Sequence, residues 1–255
     1  DDVVLVSLDT GFDGNATGNP DIHTDLGHVD YKTAVNTRAT SEDHGHQAMS
    51  VMAATHDNSE VAGVAPNASL WGYNVYAGGV DLQDAISSAI ADRKPGQKLV
   101  FQGGVQGEGW WTNGGTVAEM NNLFDSSGDF GFFSIAAGNG GGSNFQDPNY
   151  LNSVSGIAKA SSRYDNVASV GALRATSFEF ESGHLNAGGT ELASYSNRGK
   201  NLTLVAPTNS DSIINSGGGV RSFGGTPVPI PTSLVWLPWF GVKTATWMAV
   251  NCARS

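Results

Sequence analysis

Val3-Val4-Leu5-Val6-Ser7-Leu8-Asp9-Thr10-Gly11 opens the chain with an apolar run that ends on a carboxylate and a turn. Apolar residues at nearly every position, rather than at alternate ones, read as a strand covered on both faces, as in parallel sheets. Five further runs repeat the theme, at residues 70–75, 99–102, 131–136, 167–170 and 202–205. Between them, residues 47–55, 82–92 and 117–126 space their apolar side chains as helices do. Strands alternating with helices predict an α/β fold: a doubly wound, mostly parallel sheet with helices on both faces. Such sheets place their sites at the carboxyl ends of strands, so a polar residue just past a strand is a candidate. Asp9 is the first of these, although a lone aspartate there also reads as a simple cap.

Composition narrows the function classes. The 255 residues carry 13 Lys+Arg against 24 Asp+Glu, a net charge of −11, which argues against nucleic acid or an anionic membrane surface as partner. The acidic excess is spread along the chain and reads as solubility. Cys252 is the single cysteine, so no internal disulfide framework forms. No apolar run reaches membrane-spanning length, and the first residues lack a targeting pattern. The 34 glycines suggest tight loops and close backbone approaches. Gly140-Gly141-Gly142 and Gly217-Gly218-Gly219 mark loops.

A second candidate follows in Asp43-His44-Gly45-His46-Gln47-Ala48-Met49-Ser50-Val51-Met52-Ala53-Ala54, a histidine at the head of a helix built of small residues. Alone, His44 reads as a surface residue at a helix start. With Asp9-Thr10-Gly11 ahead of it, the pair resembles the aspartate and histidine motifs of the subtilisin-like serine proteases, with Gln47 where that family usually has a second histidine. Val61-Ala62-Gly63-Val64-Ala65-Pro66-Asn67-Ala68-Ser69-Leu70 resembles the segment that follows, and Ala136-Ala137-Gly138-Asn139-Gly140 the oxyanion-hole motif. Val167 to Ala172, Ser194-Tyr195-Ser196-Asn197-Arg198-Gly199 and Val205-Ala206-Pro207 fall in the family's order. The resemblance covers residues 1–226, and the ordered set is specific where each motif alone is weak.

The resemblance implies acyl transfer by an Asp-His-Ser triad. Asp9 would orient His44, His44 would shuttle the proton, and Asn139 would donate to the developing oxyanion; Asn139 between two glycines also reads as a turn residue. Gly103 and Gly104, after the strand at 99–102, together with Ala137 and Gly138, would bind a polypeptide substrate, the strand acting as the pairing edge. The resemblance further implies a secreted monomer that requires no cofactor, with structural calcium as in relatives. Asp13, Asn15, Asn19 and Asp21 are the loop residues considered for that ion, without EF-hand spacing.

The nucleophile is the departure. The family's serine opens a buried helix in Gly-Thr-Ser-x-Ala-x-Pro; this chain has Gly224-Gly225-Thr226 and then Pro227. Residues 227–255 hold four prolines and three of the six tryptophans, and form an atypical tail with no helical or strand pattern. One reading is a divergent, peptide-binding pseudo-protease, with weak ester hydrolysis through His44 as a lesser activity. The other is out-of-frame translation. Back-translated and read across codon boundaries, Thr226/Pro227 permits Ser, Val228/Pro229 permits Ala and Ile230/Pro231 permits Pro. Further along, Trp236/Leu237 forces Ala and Trp239/Phe240 forces Val, which restores the serine motif and its helix after loss of one base near the Thr226 codon. Ser233, with Gly241 beyond it, has the right serine-to-glycine spacing but lacks the intervening Ala and Pro.

Other chemistries fit less well. His23, His28, His44, His46 and His56 lack the HExxH spacing or cysteine pair of a familiar zinc site, so no metal site is assigned. No G-x-S-x-G elbow is present, which argues against an α/β-hydrolase esterase. Trp110-Trp111 reads as packing or pocket wall.

Overall fold

The computed structural model describes residues 3–9, 12, 24–33, 44–56, 62–66, 68–75, 80–104, 114–140, 156–181, 184–199, 201–208, 210–214 and 220–223. The tail at 227–255, the calcium candidates Asp13, Asn15, Asn19 and Asp21, His23 and the Trp110-Trp111 pair lie outside the described residues.

The strands are β1 (Val3–Asp9), β2 (Val29–Tyr31), β3 (Ser69–Asn74), β4 (Lys98–Gly103), β5 (Gly131–Ala136), β6 (Val167–Glu181), β7 (His184–Leu192), β8 (Leu204–Pro207), β9 (Ser210–Ile214) and β10 (Val220–Phe223). The helices are α1 (His44–Ala53), α2 (Leu82–Asp92) and α3 (Gly114–Ser126). An eight-stranded sheet runs β2-β3-β1-β4-β5-β6-β7, with β8 also on β6, while β9 and β10 form a separate antiparallel pair. Every pairing in the large sheet is parallel except β6 with β7. From β1 the chain runs out to β2, returns to fill the gap as β3, then crosses to β4 on the other side of β1 and builds that way. The order therefore reverses between β1 and β4, where an α/β sheet opens a crevice at its carboxyl end.

The side-chain alternation of β1 divides the core in two. Val4, Val6 and Leu8 join Leu82, Ala85, Ile86 and Ala89 of α2 and Met120 and Phe124 of α3 on one face. Leu5 joins Met49, Met52 and Ala53 of α1 on the other. Helices cover both faces, as predicted. On the first face Phe133 stacks on Phe101 at 4.4 Å between centroids and meets Phe124 edge-on at 4.9 Å. Both geometries add to the area that these rings bury. The buried positions of α2 recur three and four apart, the spacing that sequence periodicity had picked out.

Helix α1 is different: Gly45, His46, Ala48, Met49, Ser50, Val51, Met52 and Ala53 are all buried, so this helix has almost no solvent face. Its C-terminal carbonyls are taken up by one returning segment. Gly63 N–H donates to Ala54, Val64 N–H to Val51 and Ala65 N–H to Met52, at 2.9, 3.0 and 2.8 Å. That satisfies groups a helix end otherwise leaves orphaned. A Cβ on Gly63 would lie 2.3 Å from the Ala54 nitrogen, so the glycine is what lets the cap close.

Two expectations change. The strand at 99–102 is no edge: β4 lies between β1 and β5 and is hydrogen-bonded on both sides through Gly103. The strand predicted at 167–170 runs on to Glu181 and folds back as β7, because only its first residues pair with β5.

Gly63→Ala is expected to lose about 3 kcal/mol in urea unfolding, at the upper end of overpacking costs, because backbone rather than a movable side chain stands in the way. Gly128→Ala, where the nearest atom to a new Cβ is 3.6 Å away, should stay within about 0.5 kcal/mol of the parent protein.

Candidate active site

Three adjacent parallel strands end side by side. Leu8 of β1 is in register with Gly103 of β4, and Gly103 with Ile135 of β5. Asp9, Gly104 and Ala136 consequently stand at one level across the sheet, and Ala137-Gly138-Asn139-Gly140 leaves from that level. Helix α1 starts over the same end, with His44 as its first residue.

The structure brings Asp9 and His44 together: His44 Nδ1 lies 2.6 Å from Asp9 Oδ1, across 35 residues of sequence. Asp9 is buried, with its side chain 1% exposed, whereas that of His44 is 30% exposed. An ionised carboxylate only accepts, so Nδ1 carries the proton and donates, and Nε2 becomes the ring atom that can exchange protons. The other carboxylate oxygen, Oδ2, accepts from Gln102 Nε2 at 3.0 Å. Gln102 Oε1 in turn accepts from the Ser7 hydroxyl at 2.9 Å.

Asn139 is half-buried in the loop after β5, and its neighbours are held from a distant segment. Asn197 is fully buried; its Nδ2 donates to the Ala137 carbonyl at 3.1 Å and its Oδ1 accepts from Gly140 N–H at 2.7 Å. Asn197 N–H donates to the Gly138 carbonyl at 2.9 Å. Three bonds from one residue thus bracket Asn139. Gly138 sits at φ 109°, a conformation that glycine alone adopts without strain. Ala137 N–H donates to Val170, so the groups of Ala137 and Gly138 that these bonds use serve to hold the loop.

Gly103 is the last residue of β4 and Gly104 the first beyond it. A Cβ on Gly104 would come 2.5 Å from Asp9 Oδ2, so this glycine is required by the carboxylate beside it, a reason distinct from the approach of a substrate.

The remaining histidines do not assemble. His46 is buried between the rings of Phe12 and Tyr31, each 6.2 Å away, and its Nε2 lies 3.4 Å from the Tyr31 hydroxyl, whose pKa burial pushes well up. His56 Nε2 bonds to the Gly63 carbonyl. Among the described residues no group of three or more His, Cys, Asp or Glu side chains is placed to hold a metal ion.

Sequence reading named Asp9, His44, Asn139, Gly103, Gly104, Ala137 and Gly138, and it passed over the parts played by Gln102 and Asn197. Gln102 carried a signal as a polar residue inside an apolar strand, in register with Ser7, which is polar in an apolar strand too. Asn197 carried none beyond its place in a quoted motif.

A buried carboxylate holds a histidine at the switch point of a parallel sheet, an arrangement suited to acid–base chemistry. A model of the subtilase family matches residues 1–227, and the chain belongs to that family, a lineage of proteases. Solved structures agree on the fold. A cold-adapted subtilisin-like serine proteinase superposes with a TM-score of 0.61 at 17% identity, covering 93% of this chain and 76% of that one. The prenylagaramide maturation protease PagA gives 0.60 at 17%, covering 92% and 73%, and sphericase 0.58 at 21%, covering 91% and 75%. Comparison with curated proteins returned no match.

Asn197→Ala should lower the unfolding free energy by roughly 2–3 kcal/mol, since it strips a buried carbonyl and a half-buried N–H of their partners. Amide exchange at Gly140 should speed up with it. Asn197→Asp keeps the acceptor for Gly140 but sets a buried carboxylate oxygen against the Ala137 carbonyl, so at neutral pH it should cost at least as much.

Proposed function

We propose that this chain is the catalytic domain of a serine endopeptidase that cleaves polypeptides through an acyl-enzyme, its serine displaced by an out-of-frame tail at residues 227–255. The observation that carries the reading is the 2.6 Å contact between His44 Nδ1 and a carboxylate that the fold has buried. In this reading Asp9 keeps His44 in the tautomer with the proton on Nδ1 and stabilises the imidazolium. His44 Nε2 takes the proton of the serine hydroxyl as that oxygen attacks the scissile carbonyl, then gives it to the leaving amine. Water repeats the sequence to release the acyl group. The Asn139 side-chain amide donates to the oxyanion formed at each step. Gly103 and Gly104, with Ala137 and Gly138, line the path of an extended substrate beyond the end of β4, where the strand's own partners stop. The protein acts as a secreted monomer and needs no cofactor for the chemistry; bound calcium would be structural. Among the described residues no helix is long and apolar enough to cross a membrane.

Pro227 favours a second reading, a peptide-binding relative that has lost catalysis, because a proline offers no hydroxyl at the serine position. Peptide mapping of residues 220–255 together with a serine-directed fluorophosphonate separates the two. The first reading expects tail masses from the shifted frame and a labelled serine. Tail masses that match Pro227 to Ser255, with no label, would show that the protein lacks the serine and overturn the first reading as an active enzyme.

In protein whose tail reads in the shifted frame, Asp9→Asn should lower kcat about 10⁴-fold by trapping the wrong histidine tautomer. Asn139→Leu should lower it about 10²–10³-fold, the loss that subtilisin itself shows on removal of this donor. Steady-state kinetics on a chromogenic peptide check both.

A further inference from the structure

Ser7, Gln102 and Asp9 form a line of polar side chains in the sheet interior. Ser7 and Gln102 are 0% exposed and Asp9 is 1% exposed. Ser7 and Gln102 are register partners on adjacent strands. The line runs from the Ser7 hydroxyl to Gln102 Oε1 at 2.9 Å, from Gln102 Nε2 to Asp9 Oδ2 at 3.0 Å, and from Asp9 Oδ1 to His44 Nδ1 at 2.6 Å. It connects a position in mid-sheet to the one partly exposed group of the four, the imidazole.

We propose that Gln102 is a positioning residue: held by Ser7, its carboxamide locks the Asp9 carboxylate in the orientation that presents Oδ1 to His44. The inference rests on reading Asp9 and His44 as a proton relay, and is independent of any nucleophile.

The chemistry of the groups sets the direction of the chain. An ionised carboxylate cannot donate, so the amide must turn its NH₂ toward Asp9 and its oxygen away. That oxygen then needs a donor, and the Ser7 hydroxyl supplies one. A flipped amide would set Oε1 against Oδ2. A fixed donor on the oxygen opposite the one that faces His44 restrains rotation of the carboxylate about its Cβ–Cγ bond. Gly104 keeps the space clear, since a Cβ there would lie 2.5 Å from Oδ2 and 3.2 Å from Gln102 Nε2. A sheet interior gains nothing in stability from this line, because apolar residues of the same volume pack as well without the desolvation. What the line adds is a fixed orientation for one carboxylate.

The test reads the His44 Nδ1 proton by NMR in the full chain, where a short bond to a carboxylate gives a resolved downfield resonance. Gln102→Met keeps the packing volume and removes the donor; loss of this resonance or a clear upfield shift is expected, with the remaining amide spectrum unchanged. Gln102→Glu makes the donor switchable. At acid pH the introduced carboxyl holds a proton, donates to Oδ2 and retains the resonance. As it ionises, two carboxylates face each other and the resonance is lost, a transition the parent protein does not show. A folded Gln102→Met variant with the parental resonance would overturn the proposal. Should that variant not fold, Gln102→Glu decides: a resonance that matches the parent at every pH overturns it equally. Fluorophosphonate labelling plays no part in this test. A chain without a reactive serine can therefore still show the positioning role, and an unaltered resonance removes that role while leaving the relay in place.

Discussion

The structure is organised around one buried charge. Asp9 stands at the end of a central strand with its side chain 1% exposed, and an ionised carboxylate so placed is costly unless its oxygens are satisfied. Partners reach it from two elements beyond its own: His44 from the first residue of α1 and Gln102 from β4. Both require particular neighbours. Strand β4 must lie beside β1 in parallel register, and α1 must begin above the carboxyl end of the sheet. Closing α1 tightly over that end falls to its small side chains and to the cap that Gly63 makes possible. The crevice where the strand order reverses and the place where a carboxylate can be both buried and paired are therefore the same place.

A second constraint works by hydrogen bonding alone. The loop 137–140 leaves β5 with no regular structure to hold it, yet a donor aimed at a reacting oxygen must be fixed before the reaction starts. Asn197 fixes it from the far side, with one bond to each of Ala137, Gly138 and Gly140. Residues on both sides of Asn139 are thereby tied to a segment that itself packs under the sheet, where Ser196 Oγ accepts from Ala172 N–H and Asn197 is fully buried. On the proposed function the candidate site has two halves with separate supports: a proton relay anchored by β1, β4 and α1, and an oxyanion loop anchored by Asn197.

What could be read from the sequence follows from how local each feature is. Apolar runs betray buried strands, and β5 and α2 have the predicted bounds because their signals lie within themselves. Short β2 and the hairpin arm β7 gave no such signal. Three residues of β2 carry no period, and β7 is polar, pairing on one side only. Asp9, His44 and Asn139 could be singled out as candidates because each sits in a motif of neighbours. Gln102 and Asn197 act on residues roughly 60 to 90 positions away, and only the parallel register and the return of the chain after β7 reveal what they touch. The same distinction explains the error over β4. The strand is internal, and at Gly104 the group that a Cβ would meet is the Asp9 carboxylate.

The placement of these groups also bears on how the serine came to be missing. Every described contact that builds the proposed relay lies within residues 7–104, and every one that brackets Asn139 lies within 137–197. A lineage that had long ceased to hydrolyse peptides would have no use for a carboxylate, an amide and a hydroxyl lined up inside a sheet. Apolar substitution there is neutral or stabilising, and loss of one partner alone is what destabilises. Here the line is complete from Ser7 to His44, and the glycine that makes room for it is still glycine. On the proposed reading the change lies in the region after Thr226, and a single lost base is the smallest change that accounts for it.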